Sequence, residues 1–258
     1  MKTFALTALL ATTAALPAAA QTVVALTGDK TLLWIDTATA TVTGQAETQG
    51  VDSLLGIDLR PSDGKVYGVT ADHKIVTIDP TTGATTEVAT MDTMLPLADT
   101  PVVVDFNPAA DKLRFMTGTT NHRVDPDSGA VTVDGNLAFE EGDMHAGEAP
   151  MIVAAAYTNS HGKPEKTAMF NIDATIGGLI QQTKPNDGTL KAIGKLGVDA
   201  AETYAFDIAT TPEGANTAWL VAGSNLHTVD LETGAVSGSW ALTGTDQPIR
   251  DITVLPAM

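Results

Sequence analysis

The sequence predicts an all-β fold, a five-bladed β-propeller built from four-stranded blades. After residue 20, short β-branched and aromatic segments alternate with tight turns along the chain. A turn motif recurs five times, and a strand-like motif also recurs five times, out of phase with the first. Residues 65–88 display the repeating unit most clearly, because they read as strand, turn, strand, Pro-Gly turn and strand.

The turn motif is an apolar pair followed by Asp and a turn rich in Thr, Ser or Gly. Aspartate accepts backbone hydrogen bonds at the first position of such turns, so it is expected there for a structural reason. The copies are roughly 43 to 57 residues apart, about the length of one propeller blade. The five aspartates are Asp36, Asp79, Asp125, Asp173 and Asp230.

The strand-like motif predicts the innermost strand of each blade. Its last copy, residues 249–255, has no turn motif after it, whereas the first hairpin, from Thr22 onward, has no such strand before it. We therefore predict that residues 249–255 pair with residues 23–26 and close the ring, which leaves no open sheet edge. The five copies are residues 55–61, 103–108, 154–159, 204–208 and 249–255.

Composition excludes several classes of partner and site. The 258 residues are 43% hydrophobic and 17% charged, with a formal net charge of -17, which argues against nucleic acid or an anionic membrane as partner. The absence of cysteine excludes disulfides, thiolate metal sites and a cysteine nucleophile. We expect a monomer that binds a protein or a small-molecule ligand.

The N-terminus has the features of a secretory signal peptide. A positive start at Lys2 precedes an apolar run from Phe4 to Leu16 and a small-residue site that ends at Ala20. We predict a signal peptide over residues 1–20, a single propeller domain over residues 21–258, and a periplasmic or secreted location. No later segment approaches the roughly 20 apolar residues that a membrane span needs.

Several motifs, in order and spacing, resemble an uncharacterised family of bacterial exported domains, a domain of unknown function. The resemblance covers almost the whole chain after residue 20 and is similar in style to surface and periplasmic propellers with Tyr-Val-Thr-Asn repeats. It implies an exported repeat protein and brings no catalytic residues with it. The chain departs from the pattern at Met144-His145. The motifs are residues 56–61, 66–68, 78–83, 104–108, 155–160, 185–190 and 194–199.

Four of the five predicted inner strands place an acid at what reads as one equivalent position, and the fourth blade has Ala156 instead. If these positions line the channel, the acids form a ring of carboxylates that suits a hard cation such as calcium. The alternative is structural, in which each acid binds backbone groups or a basic residue such as Arg60 or Arg250 at a blade junction. The four acids are Asp58, Asp105, Asp207 and Asp251.

A second metal hypothesis concerns residues 139–150, which lack strand periodicity and predict an exposed loop. His145 and the acids around it would suit copper, zinc or nickel, although the spacing also fits a solvated acidic loop. The companions of His145 are Glu140, Glu141, Asp143, Met144 and Glu148.

Two functions from different classes therefore stay open. The first is a binding or interaction module that uses loops on one face of the propeller, and the second is a calcium-dependent hydrolase of lactonase type with its site in the axial channel. The sequence contains no Gly-x-Ser-x-Gly elbow, no His-Glu-x-x-His and no phosphate-binding loop. Ser160 and His161 are adjacent, but no partner acid is indicated.

Overall fold

The computed structural model describes residues 21–97 and 100–256, so the predicted signal peptide lies outside the described residues. These residues form five sheets. Within the described part of the chain, no helix is long and apolar enough to cross a membrane. In each sheet, neighbouring strands that follow one another along the chain are antiparallel. The innermost strands of the five sheets contact one another in a ring. The prediction of a five-bladed β-propeller is confirmed.

The strands of each blade are given from the axis outward. The first blade contains β21 (Ile249–Val254), β1 (Thr22–Thr27), β2 (Thr31–Asp36) and β3 (Thr41–Glu47). The second contains β4 (Leu54–Arg60), β5 (Lys65–Thr70), β6 (Lys74–Ile78) and β7 (Thr85–Thr90). The third contains β8 (Val102–Asn107), β9 (Lys112–Thr117), β10 (Thr120–Val124) and β11 (Val131–Val133). The fourth contains β13 (Ile152–Tyr157), β14 (Met169–Asp173), β15 (Gly178–Lys184), β16 (Thr189–Lys195) and β12 (Ala138–Phe139). The fifth contains β17 (Tyr204–Thr210), β18 (Asn216–Ala222), β19 (Asn225–Val229) and β20 (Val236–Ala241).

Closure of the ring is confirmed by the pairing of the two ends of the chain. Strand β21 runs antiparallel to β1, with Val254 opposite Val23 and Asp251 opposite Leu26. The C-terminal strand therefore supplies the inner strand that the first hairpin lacks. Deletion of β21 would leave β1 as an unpaired edge inside the channel.

The apolar core lies between adjacent blades. The buried hydrophobic residues of the described chain fall into five clusters, and each cluster joins two neighbouring blades. Inner and middle strands are therefore buried on both faces, as in β1, where Val23, Val24, Ala25 and Leu26 are all fully buried. This explains why these strands read as continuous apolar runs, while outer strands such as β7 alternate in exposure or are exposed throughout.

The fourth blade departs from the predicted pattern in two ways. It has a fifth strand, β12, which pairs in parallel with β16, so that Phe139 belongs to a strand instead of the predicted exposed loop. The reason is packing, because Phe139 and Leu137 are buried in the cluster that contains Leu190. The exposed irregular segment therefore begins at Glu140.

The turn motif of the fourth blade is also displaced. Asp173 lies at the end of β14, the second strand, whereas the four other aspartates lie at the end of the third strand or directly after it: Asp36, Asp79, Asp125 and Asp230. In this blade the turn between the third and fourth strands is Pro185 to Gly188. Asp173 still accepts backbone hydrogen bonds, from Thr175 N at 2.9 Å and Ile176 N at 3.1 Å. The local turn chemistry was therefore predicted correctly, and its place in the blade was not.

Candidate functional site

The inner strand of every blade is a sheet edge. Some of its backbone N–H groups therefore have no acceptor on a neighbouring strand of the same sheet. Aspartates on these strands accept several of those hydrogen bonds. Asp58 Oδ1 accepts from Leu59 N of its own strand at 2.7 Å, and Asp207 Oδ1 accepts from Ile208 N at 2.6 Å. This accounts for acids in strands that are otherwise apolar.

The second role of these carboxylates is to join each blade to the next. Asp58 Oδ2 accepts from Phe106 N of the third blade at 2.7 Å, and Asp105 Oδ1 accepts from Tyr157 N of the fourth blade at 3.2 Å. Asp207 Oδ2 accepts from Val254 N of the first blade at 2.7 Å. In each case the donor lies on the inner strand of the following blade.

The closing blade continues this layer with Thr253. Its Oγ1 accepts from Leu59 N at 2.9 Å, which is the same bridge to the following blade, and it hydrogen-bonds Asp58 Oδ1 at 2.9 Å. Asp251, predicted to be the equivalent residue, lies two positions earlier on β21 and accepts from Ile57 N at 2.8 Å. Asp251 therefore belongs to the adjacent layer of the channel.

Sequence reasoning missed Thr253 because residues two apart on a strand point to the same face. Alternation alone cannot decide whether Asp251 or Thr253 aligns with Asp207. The signal that decides it is the pairing of β21 with the neighbouring inner strands, which the sequence does not contain.

Gly56 makes room for Asp251. A Cβ atom at Gly56 would lie 2.7 Å from Asp251 Oδ2 and 2.7 Å from Val104 Cγ2. Both distances are shorter than van der Waals contact, so a side chain here would displace the carboxylate or the packed valine. The glycine is required by this close approach and not by its backbone angles.

Burial and mutual repulsion raise the pKa values of the channel acids. The pKa of Asp58 and that of Asp105 lie well above the ordinary range because burial disfavours the carboxylate and neighbouring acids add repulsion. Burial also raises the pKa of Asp207 to about 6 and that of Asp251 to about 8.

The basic residues named as possible partners bind elsewhere. Arg60 forms ion pairs with Asp111 at 2.8 Å and Asp127 at 2.6 Å. Arg250 donates to backbone carbonyls instead of to a carboxylate. The acids of the channel are therefore stabilised by backbone and hydroxyl donors, and no ion pair with a described basic residue neutralises them.

Three of the four predicted metal ligands come together. Asp58, Asp105 and Asp207 each offer a carboxylate oxygen, and these oxygens lie within 4.8 Å of one another. Calcium binds oxygen at roughly 2.3–2.6 Å, so ligands on opposite sides of one ion are about 5 Å apart. The spacing fits one calcium ion. Among the described residues this is the one such group of three or more potential ligands, and it does not include His145.

The loop around His145 is organised by internal contacts. His145 Nδ1 lies 2.9 Å from Glu148 Oε2, and the ring lies beside that of Phe139, with 5.5 Å between centroids. Asp143 Oδ1 accepts from His145 N at 2.8 Å, while its Oδ2 accepts from Ala192 N of β16 at 2.8 Å. These contacts fasten the loop to the fourth blade.

The acidic layer is reached from the face where the inner strands end. A cavity of about 240 Å³ lies there, with Asp58 and Asp207 among its lining residues. We call it the acidic mouth. The rest of its lining comes from residue 21, β4, the segment after β13, and the ends of β17 and β21 with the residues that follow them: Gln21, Leu59, Ser160, His161, Ile208, Ala209, Thr210, Thr211, Pro212, Val254, Leu255 and Pro256.

Ser160 and His161 do not form a nucleophile and base pair. Ser160 Oγ donates to the carbonyl of Tyr157 at 2.7 Å, and its backbone N donates to Thr210 Oγ1 at 2.8 Å. Its hydroxyl proton is thus directed to a backbone acceptor. This arrangement positions the loop and does not activate the hydroxyl for attack.

The family described as "Domain of unknown function (DUF4394)" matches residues 31–253. The chain belongs to this family. The resemblance to an uncharacterised domain of unknown function is thereby confirmed. No curated protein matches the sequence.

Three solved structures resemble the chain at low sequence identity. A protein of unknown function from Bacteroides thetaiotaomicron VPI-5482 is 14% identical, with a TM-score of 0.54, over 91% of this chain and 66% of that one. A protein of unknown function from Bacteroides caccae is 11% identical, with a TM-score of 0.45, over 86% and 73%. An auxiliary nutrient binding protein from Bacteroides ovatus ATCC 8483 is 13% identical, with a TM-score of 0.47, over 83% and 57%. At these identities the likeness concerns the fold alone.

Proposed function

We propose that this protein is an exported binding module that holds a small ligand bearing a positive charge in the acidic mouth. The observation that carries the proposal is the cavity of about 240 Å³ with two channel carboxylates, Asp58 and Asp207, in its lining. A concave site with a few convergent polar groups is where small molecules bind. The volume corresponds to roughly eight water molecules, enough for a small organic amine.

Charge supports a cationic ligand. The chain has a formal net charge of -17, and an acidic protein concentrates cations near its clefts. A cation beside Asp58 and Asp207 would also lower the pKa values that burial raises, because an opposite charge favours the carboxylate. Binding should therefore release protons from the site.

Binding is favoured over covalent catalysis by the groups at the rim. Ser160 directs its hydroxyl to a carbonyl, and the carboxylates are engaged with backbone donors of successive blades. These groups define the shape and charge of the cavity, and none of them is arranged as an activated nucleophile.

Titration with butylamine tests this function, with butyramide as the uncharged ligand of matched size. We expect butylamine, and not butyramide, to shift NMR signals of residues 208–212 and 254–256, and Asp207→Asn to weaken the binding about tenfold or more. Asp79→Asn is the matched control, because its carboxylate serves an exposed turn between the second blade's outer strands. Equal responses to the two ligands, or none to either, would contradict the proposal.

A second function, a calcium-dependent hydrolase, is supported by the three carboxylate oxygens within 4.8 Å of one another. Asp58, Asp105 and Asp207 would hold the ion, which would polarise a substrate carbonyl entering from the acidic mouth. Melting in calcium and in chelator tests this candidate, since an ion that binds the folded state raises the melting temperature. We expect Asp105→Asn to abolish a calcium-dependent shift. A melt indifferent to calcium and chelator excludes this candidate and leaves the amine-binding proposal intact.

A further inference from the structure

The channel has a second cavity at its opposite end, where the inner strands begin. Residues from the start of all five inner strands line this cavity of about 160 Å³, which we call the apolar mouth. They are Leu55 of β4, Val102 of β8, Val153 of β13, Tyr204 of β17 and Arg250 of β21. The cavity therefore lies on the propeller axis, about three residues or roughly 10 Å along the strands from the acid layer.

Four of these five positions are apolar. Val153 and Tyr204 are buried, and Leu55 and Val102 are partly buried. The hydroxyl of Tyr204 already accepts from Ala201 N at 3.0 Å, so this residue presents its ring to the cavity with its polar atom engaged. A ligand here would place hydrocarbon against these walls.

The fifth position is Arg250, and its guanidinium is held by backbone carbonyls. Its Nε donates to the carbonyl of Gly28 at 2.7 Å and its Nη2 to the carbonyl of Leu54 at 2.9 Å. These contacts fix the plane of the group at the junction of the first and second blades. Among the described residues its Nη1 has no hydrogen-bond acceptor.

Arg250 differs in charge pairing from the other described arginines. Arg60, Arg114 and Arg123 each form an ion pair with aspartate. No described carboxylate lies within ion-pair distance of Arg250, although Glu202 lines the same cavity and is exposed. Burial lowers the pKa of Arg250, and the charges of Asp251 and Asp29 offset this effect only in part.

We propose that the apolar mouth binds a small organic acid with a short hydrocarbon chain. Its carboxylate pairs with Nη1 of Arg250, and its chain packs against Leu55, Val102 and Val153. The cavity holds about five water molecules by volume, which limits the chain to a few carbons. This site goes beyond the proposed function, because it takes a ligand of opposite charge at the opposite end of the channel.

The test is an NMR titration of the purified protein with sodium butyrate, with butyramide and butylamine as ligands of matched size. We expect butyrate to shift the methyl signals of Leu55, Val102 and Val153, and the two other ligands to shift these same signals only at concentrations at least tenfold higher, whatever butylamine does at the acidic mouth. Arg250→Gln should weaken butyrate at least tenfold, because it removes the charge. Arg123→Gln is the control, since its guanidinium pairs with Asp134 and does not line the cavity.

A second variant keeps the proposal testable if Arg250→Gln fails to fold. Val102→Trp retains Arg250 and fills the mouth from a partly exposed position, so it should abolish butyrate binding in a folded protein. Butyramide binding as tightly as butyrate, butyrate binding to Val102→Trp at unchanged affinity, or no response of the three methyl groups to butyrate would overturn the proposal.

Discussion

The two ends of the axial channel differ in charge and in how their residues arise from the repeat. At the acidic mouth, Asp58 and Asp207 occupy the same position of the repeat. Each accepts a hydrogen bond from a backbone N–H group of the next blade. At the apolar mouth, Arg250 stands where the four other inner strands have apolar residues. The blade structure therefore accounts for the aspartates, which recur from blade to blade, but it does not account for Arg250, which occurs in one blade.

The same comparison applies within the acid layer. Ala156 of the fourth blade breaks the series of acids, so the bridge from the fourth to the fifth blade has no carboxylate. The layer therefore has no carboxylate at the position of Ala156, next to Asp105. No described group donates a hydrogen bond to Asp105 Oδ2. A cation bound in this layer would therefore take Asp105 Oδ2 as a ligand without breaking a described hydrogen bond.

The largest expected effect concerns pH, because the buried carboxyl groups of the channel have raised pKa values. A carboxyl group whose pKa is higher in the folded than in the unfolded protein binds more protons when folded. It therefore stabilises the fold at low pH, and this contribution is lost as the pH rises through the folded value. For Asp207 the pKa rises from 3.8 to about 6, equivalent to about 3 kcal/mol between pH 4 and pH 7. The loss for Asp251 extends to about pH 8.

Denaturant unfolding in chelator at pH 4 to 8 measures this effect. We expect the free energy of unfolding to fall across this range, and Asp207→Asn to flatten the fall below pH 7. Arg250→Gln, at the other end of the channel, should leave the shape of the profile below pH 7 unchanged. A wild-type stability that rises steadily from pH 4 to pH 8 would contradict the raised pKa values.

The next effect concerns the hydrogen bonds between blades. Asp58→Ala leaves the buried N–H group of Phe106 without an acceptor, whereas Leu59 N keeps Thr253 Oγ1, and we expect the loss to cost about 2 kcal/mol. Asp79→Ala should cost less, because the N–H groups it releases in the exposed turn can bind water. Unfolding titrations in chelator measure both. A loss for Asp58→Ala no greater than that for Asp79→Ala would show that the bridges contribute little.

Sequence reasoning predicted the repeat, the number of blades and the closure, because each depends on patterns that recur along the chain. It placed Asp58, Asp105 and Asp207 together for the same reason. It did not find Thr253, since Asp251 and Thr253 share one strand face and only the register across the ring separates them. It did not find the apolar mouth, because Arg250 becomes distinctive only when the starts of all five inner strands are seen to meet.

The smallest expected effect is the coupling between the two ends. Asp207 lies three residues beyond Tyr204, so the acid layer and the apolar mouth are about 10 Å apart, a distance at which mutational effects usually add. We expect Asp207→Asn and Arg250→Gln to be additive in the free energy of unfolding within about 0.5 kcal/mol. Arg250→Gln and Asp251→Asn should couple more strongly, because Asp251 adjoins Arg250 and partly offsets its desolvation. Double-mutant cycles at pH 7 measure the coupling energy of both pairs. If Asp207 and Arg250 couple as strongly as Arg250 and Asp251 do, the two mouths behave as one site.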